Sequence, residues 1–310
     1  VEKIRLGATD LVITEMGIGA WQWGDTRFWG YGRGYGEDDV RAAMELTVTS
    51  PINFLDTAEV YGFGTSERLI GKFLDGHRSS LVIASKFFPF PWRLRRAQLL
   101  DALRGTLKRL AIAQLDLYQI HWAFPPVSIE TWMSAMADAI GAGLIRAVGV
   151  SNYNAEQTRR AYDALAKRNI PLASNQVPYS LLNRNIEFGG TLQTCRELNV
   201  TIIAYSPIAQ GILSGKYTPA NLPPGLRRGR YNRKVVVQVQ PLIGLMREIG
   251  QAHGGKTPAQ VAINWTICKG TVPIPGVKNV RQAQENIGAA GWRLTADEVA
   301  ALDQASARVK

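Results

Sequence analysis

The chain alternates short apolar runs with longer stretches of helical periodicity. Eight runs, Met16–Ala20, Ile52–Leu55, Leu81–Ala84, Leu115–Ile120, Ala147–Val150, Leu172–Ala173, Thr201–Ala204 and Thr271–Ile274, are continuous or nearly so. Continuous rather than alternating apolar character predicts parallel strands buried on both faces. Between them, Glu37–Thr49, Ser66–Leu74, Arg95–Leu110, Ile129–Ile140, Ala155–Arg168, Gly189–Leu198, Leu242–His253 and Pro258–Cys268 read as helices. Arg95–Leu110 places Leu99, Leu103, Leu107 and Leu110 on one face. Ser66–Leu74 opens on a capping serine with Glu67 in its first turn. Eight strand–helix units predict an α/β fold, the closed (β/α)8 or TIM barrel. The sixth strand carries the weakest signal.

Three segments fall outside this rhythm. Residues 3–14 alternate about Gly7-Ala8-Thr9-Asp10 and predict an N-terminal hairpin. Asn279–Gly288 and Thr295–Ala305 predict two extra C-terminal helices. Pro207–Gln240 is too long for an ordinary βα loop and is predicted to be a functional one. No linker or internal repeat divides the chain, so residues 1–310 are expected to form one domain.

Composition narrows the function classes. A chain of 310 residues, 46% hydrophobic and 20% charged, can bury a large core and is not a disordered sequence. The two cysteines, Cys195 and Cys268, and three histidines, His77, His121 and His253, offer no disulfide framework and no zinc-binding spacing. No metal is expected. No apolar run approaches the ~18 residues of a membrane helix, and no basic-then-apolar leader opens the sequence. The expected setting is the reducing cytoplasm, without a membrane partner.

The net charge of +11 raises the question of nucleic acid. Basic residues cluster at Arg93, Arg95 and Arg96, and again at Arg227, Arg228, Arg230, Arg233 and Lys234. Neither cluster extends as a helical stripe or interleaves with aromatics, as single-strand binding requires. A positive field that draws in an anionic cofactor is the simpler use of the charge.

Barrel enzymes place their chemistry at the carboxyl ends of the strands. The residues following the apolar runs are Asp56, Lys86 after Ser85, His121, Ser151 and Asn152, Gln176, and Tyr205 with Ser206. A lone Asp, Lys or His ending a buried strand is unfavourable unless it pairs, and convergence on one rim allows pairing. Asp56 beside Lys86 would keep the ammonium charged, and a phenol within reach would have its pKa lowered from ~10. Tyr61 is the candidate phenol. A tyrosine so tuned can protonate a developing alkoxide while His121 orients the carbonyl oxygen. The set fits carbonyl reduction, and since none of these groups supplies hydride, a cofactor is required.

These residues also carry a family resemblance. Asp56-Thr57-Ala58-Glu59-Val60-Tyr61-Gly62, Ser85-Lys86, His121 and Val148-Gly149-Val150-Ser151-Asn152 resemble motifs of the aldo-keto reductase superfamily. So do Asn175-Gln176, Tyr205-Ser206-Pro207, Ile274-Pro275-Gly276 and Gln282-Ala283-Gln284-Glu285-Asn286, in the family's order. The stretch from Tyr205 to Tyr217 is more similar to the bacterial, plant and potassium-channel β-subunit branches than to mammalian aldose reductase. The resemblance implies a (β/α)8 barrel, NADP(H) as cofactor, and Asp56, Tyr61, Lys86 and His121 as the catalytic four. It further implies that Ser151, Asn152 and Gln176 bond the nicotinamide carboxamide and that Tyr205 stacks under the ring. Ser206, Pro207, Ala209 and Lys216 would follow the pyrophosphate. Gly276, Lys278, Gln282, Glu285 and Asn286 would face the adenosine, where the helix beginning at Asn279 offers an amino end to phosphate. Many relatives have Lys-Ser in place of Gly276-Val277 and Arg in place of Gln282, so the 2′-phosphate is expected to rely on Lys278 and one of Arg227, Arg228 and Arg230.

Other motifs fail. Gly30 to Gly36 does not satisfy G-x-G-x-x-G and is expected to be a flexible first βα loop at the substrate mouth. Gly211 to Lys216 is one residue short of a P-loop. Trp21, Trp23, Trp122 and Trp92 are expected to wall the substrate pocket. The function expected is NADPH-dependent reduction of a small carbonyl compound. Two alternatives stand beside it: a Schiff-base aldolase using Lys86, and a cofactor-bound regulatory subunit of the channel β-subunit kind.

Overall fold

The computed structural model describes residues 1–74 and 76–309. Strands β1 (Lys3–Arg5) and β2 (Val12–Thr14) pair antiparallel with Ile4 opposite Ile13, forming the hairpin. It plugs the amino end of the barrel: Leu6, Leu11 and Ile13 are buried in one cluster with Phe54, Leu117 and Ile203.

Eight parallel strands follow in chain order. They are β3 (Ile18–Gly19), β4 (Phe54–Asp56), β5 (Val82–Phe87), β6 (Leu115–Ile120), β7 (Ile145–Ser151), β8 (Leu172–Pro178), β9 (Thr201–Tyr205) and β10 (Val272–Ile274). The sheet closes where Gly17 N–H donates to Pro273 O at 2.9 Å and Gly19 N–H to Pro275 O at 3.0 Å. The seam is tight enough to need glycine, since a Cβ on Gly19 would lie 2.9 Å from Ile274 O. The barrel and hairpin are as the apolar pattern predicts.

Five strands are followed by α1 (Glu37–Thr49), α2 (Thr65–Phe73), α3 (Arg96–Leu110), α4 (Ile129–Gly141) and α5 (Ala155–Ala166). After β8 come α6 (Asn185–Phe188) and α7 (Thr191–Glu197), and after β9 come α8 (Arg227–Arg230), α9 (Arg233–Ala252) and α10 (Pro258–Cys268). The two extra C-terminal helices are α11 (Val280–Ile287) and α12 (Ala296–Ser306).

Two predicted boundaries shift for physical reasons. The sixth barrel strand, β8, is seven residues long, because Ser174, Asn175 and Gln176 continue it while fully buried. Asn175 is accommodated by donating to Tyr153 O and Thr158 Oγ1, each at 2.9 Å. Its polarity hid the strand. The predicted loop Pro207–Gln240 instead contains a tight 3₁₀ stretch at Ala209–Ser214, all of α8 and the start of α9. Helix α9 begins at Arg233 and runs through Pro241, with Val236, Val239, Leu242 and Ile243 buried on both sides of the proline. Asn232 caps it by accepting from Val235 N at 3.2 Å.

The first basic cluster is partly structural. Arg93 pairs with Glu59 and Arg96 with Asp138. Among the described residues, no helix is long and apolar enough to cross a membrane.

Candidate active site

Asp56 and Lys86 end neighbouring strands β4 and β5 and are almost wholly buried. Lys86 Nζ donates to Asp56 Oδ2 at 2.5 Å, to Thr57 O at 2.8 Å and to the Tyr61 hydroxyl oxygen at 3.2 Å. All three of its donors are thereby engaged. Tyr61 is brought back over Lys86 by the turn Tyr61–Gly64, where Gly62 takes φ 55°. A Cβ on Gly62 would lie 2.5 Å from Gly24 O, so this turn sits directly against the first βα loop. His121, at the end of β6, presents its ring edge-on to Tyr61 with centroids 6.0 Å apart. The four residues expected to act together do meet.

Their electrostatics differ from the expectation. Burial pushes the Tyr61 phenol well above its ordinary value, and the negative charge of Asp56 pushes the same way. Burial also lowers Lys86, against the opposing pull of Asp56. The expected acidification fails because Asp56 already matches the lysine charge, leaving the phenol beside a neutral pair in a dry setting. Tyr61 therefore keeps its proton throughout the neutral range. Burial, and then the charge of Lys86, hold His121 well below its ordinary value, so its imidazole is neutral.

The tops of β6, β7 and β8 are tied together above this group. Asn152 Nδ2 donates to His121 O at 3.1 Å and to Ser151 Oγ at 3.0 Å, and Ser151 Oγ donates to Gln176 O at 2.8 Å. Tyr205 O–H donates to Asn152 Oδ1 at 2.9 Å, which fixes its ring, and burial raises its phenol to about 12. Asn152 and Ser206 adopt φ 60° and 54°, a left-handed backbone that is uncommon for residues other than glycine.

A cavity of about 660 Å³ opens over these strand ends. On the β4–β6 side, Trp21, Asp56, Tyr61, His121 and Trp122 line it. Ser151, Asn152, Gln176 and Tyr205 form its middle, and Ser206, Pro207, Lys216 and Arg227 continue along the β9 side. Gly276, Lys278, Gln282, Glu285 and Asn286 complete it beside α11, whose first turn is capped by Asn279 accepting from Gln282 N at 3.1 Å. Lys216, Arg227, Lys278 and Arg281 all line this region, and none forms an ion pair among the described residues. Cations left together without an ion-pair partner fit a multiply charged anion such as a phosphorylated dinucleotide.

Four expected lining residues lie elsewhere. Trp23 is fully buried and donates its indole N–H to Val277 O at 3.0 Å, because the chain turns sharply between it and Trp21. Trp92 is 67% exposed and stacks on Phe90, outside the cavity. Ala209 is buried; its φ of 47° bends the loop so that Gln210 and Gly211 face the cavity in its place. Arg228 points to solvent, since successive residues of α8 face different directions and Arg227 takes the inward one.

The first βα loop is also not the loose mouth expected. Asp25 Oδ1 accepts from Phe28 N at 2.6 Å and Trp29 N at 3.0 Å, and Tyr35 O–H donates to Gln22 O at 2.6 Å. Its Trp29 and Gln22 join the cavity wall, as does Arg281. Sequence reading missed Trp29 and Gln22 because loop residues carry no periodicity to reveal their direction.

Comparison with known proteins assigns the family. A model described as the Aldo/keto reductase family matches residues 15–307. The chain is 41% identical to a protein named pyridoxal reductase, chloroplastic, from Arabidopsis thaliana, over 98% of this chain and 86% of that one. It is 32% identical to an aldo-keto reductase of Strobilurus tenacellus, over 94% and 88% of the two chains. Among solved structures, a glycerol dehydrogenase from Gluconobacter oxydans superposes with a TM-score of 0.87 at 26% identity, covering 99% of this chain and 95% of that one. An aldo-keto reductase from Klebsiella pneumoniae in complex with NADPH superposes with a TM-score of 0.77 at 27% identity, covering 98% and 95%.

Proposed function

This chain belongs to the aldo/keto reductase family, and from that premise we propose that it is an NADPH-dependent reductase of aldehydes or ketones. The observation that carries the proposal is a buried Asp56–Lys86–Tyr61 chain, with His121 alongside, in a cavity whose other side gathers four unpaired cations.

Ser151, Asn152, Gln176 and Tyr205 would hold the nicotinamide, and Lys216, Arg227, Lys278 and Arg281 the phosphates. Bound there, the reduced nicotinamide supplies hydride to the carbonyl carbon. Gln176 already commits its amide N–H to Asp56 at 2.7 Å, which leaves Oε1 as its acceptor for a carboxamide. Neutral His121 orients the carbonyl oxygen by donating to it. Tyr61 delivers the proton: a developing alkoxide is a stronger base than phenolate, so a phenol with a raised pKa still gives up its proton. Lys86 then stabilises the phenolate from 3.2 Å, while Asp56 keeps Lys86 in place.

The cavity favours a flat substrate. Trp21 stacks on Phe28 with centroids 5.1 Å apart, and Trp122 stacks on Phe124 at 5.4 Å. An aromatic aldehyde suits such walls, and similarity to a protein named pyridoxal reductase makes pyridoxal the first compound to assay. The two unpaired cysteines, Cys195 and Cys268, suit the reducing cytoplasm named above.

The aldolase alternative is disfavoured because Lys86 is fully buried, with its three donors already engaged by Asp56, Thr57 O and the Tyr61 hydroxyl. The test is NADPH absorbance loss across a carbonyl panel that includes pyridoxal, with NADH in parallel. Turnover of at least one aldehyde, faster with NADPH, is expected. No consumption with any carbonyl would overturn the proposal, and tight cofactor retention with negligible turnover would favour the regulatory-subunit alternative.

A further inference from the structure

Three of these cations, Lys216, Arg227 and Lys278, lie close enough to act on one another, which presents a physical problem. Like charges held close repel one another, and long side chains without partners ordinarily turn outward to water. Lys278 shows the strain, since burial, then Arg227 and Lys216, lower its pKa to about 8, with only Asp25 acting against them. A carboxylate partner would hold these cations, but it would also cancel the charge that a phosphate needs. A neutral group able to bind a cation would hold them and leave the charge in place.

Trp29 is such a group. Its ring centroid lies 5.4 Å from the Arg227 guanidinium carbon and 5.5 Å from Lys278 Nζ. Its carbonyl accepts from Lys278 Nζ at 2.6 Å, and the ring of Tyr35, from the same loop, lies 4.5 Å from that ammonium. Arg227 is fixed further by donating to Gln210 O at 3.2 Å and the Tyr217 hydroxyl at 3.1 Å, again to neutral acceptors. The Trp29 indole N–H is buried with no partner among the described residues, which leaves a donor at the same cavity wall. On its other side Trp29 meets Trp21 edge-on at 5.5 Å, and Trp21 in turn lies 6.1 Å from Tyr61. The loop thus runs from the proton-transfer end of the cavity to its cationic end.

We propose that Trp29 is a positioning residue of the cofactor-phosphate site: its ring and carbonyl hold Arg227 and Lys278 at the cavity with their charge uncancelled, making the first βα loop a strap across the dinucleotide. This rests on the cofactor reading above. The loop is built for the task, because Asp25 fastens the backbone of Phe28 and Trp29.

The experiment compares NADPH binding, read by nicotinamide fluorescence, in the unmodified protein, Trp29→Phe and Trp29→Leu, with melting temperatures recorded alongside. Phenylalanine keeps a π face; leucine fills space without one. Trp29→Leu is expected to raise the NADPH dissociation constant about tenfold, and Trp29→Phe about threefold or less, from the loss of two cation–π contacts or only their weakening. Lys278→Gln is expected to weaken NADPH binding in the unmodified protein and to add less in the Trp29→Leu background, since Trp29 acts partly through Lys278. Should Trp29→Leu fail to fold, the Trp29→Phe and Lys278→Gln pair decides by the same non-additivity. Unchanged binding in Trp29→Leu, equal losses in the two Trp29 variants, or full additivity with Lys278→Gln would overturn the strap while leaving the cofactor reading intact. Failure of the unmodified protein to bind NADPH would overturn both.

Discussion

The side-chain amide of Gln176 donates to Asp56 Oδ1 at 2.7 Å, linking the middle of the cavity to the buried carboxylate. Asp56 thus divides its oxygens, Oδ2 to Lys86 and Oδ1 to Gln176, with Gln119 a longer donor at 3.3 Å. Replacing Asp56 with Asn would strand the Lys86 ammonium in a dry interior. A stability loss of about 3–5 kcal/mol is expected for breaking a buried pair from one side, together with impaired turnover. Denaturant unfolding checks this, and an unchanged midpoint would show that Lys86 does not depend on Asp56.

Tyr61 meets Lys86 through its hydroxyl at 3.2 Å and through its ring, whose centroid lies 4.8 Å from Nζ, a contact that phenylalanine keeps. Tyr61→Phe removes the proposed proton source and should lower turnover by roughly 10²–10⁴, while the NADPH dissociation constant stays within about twofold. Single-turnover kinetics beside fluorescence titration separate the two effects. Retained turnover would assign the proton to another group.

Lys278 has a pKa lowered to about 8 and lines the cationic part of the cavity. The charged form is the one that attracts phosphate, so below that pH affinity is flat with respect to this group. As pH rises through about 8, NADPH affinity should fall, by at most about tenfold per pH unit for one proton. Lys278→Met should abolish that limb. A limb that persists in the variant would belong to a different residue.

The seam between β3 and β10 depends on Gly19, where an added Cβ would meet Ile274 O at 2.9 Å. Backbone, not a flexible side chain, must yield there. Gly19→Ala is expected to cost about 1–3 kcal/mol by overpacking, read as a lowered melting temperature. No change would mean the seam can open without penalty.

The barrel was legible because a strand buried on both faces is continuously apolar; β8 was truncated in that reading because Ser174, Asn175 and Gln176 are polar yet buried. Asp56, Lys86 and His121 stood out as charged or titratable groups ending apolar runs, a signal that survives without coordinates. The direction of the Tyr61 shift did not, since it depends on how fully Asp56 compensates Lys86 and on how dry the site is. Nor could spacing separate Trp21 from Trp23, or Arg227 from Arg228. In each pair the deciding factor is a local turn of the backbone, and adjacent or near-adjacent residues of similar chemistry look alike until that turn is known.

Cations steadied by aromatic rings and carbonyls instead of acids will not discriminate between a nucleotide and a dissolved salt. Sulfate or inorganic phosphate in an assay buffer should therefore compete at Arg227 and Lys278. Apparent Michaelis constants for the nucleotide would then differ between phosphate and amine buffers of matched ionic strength.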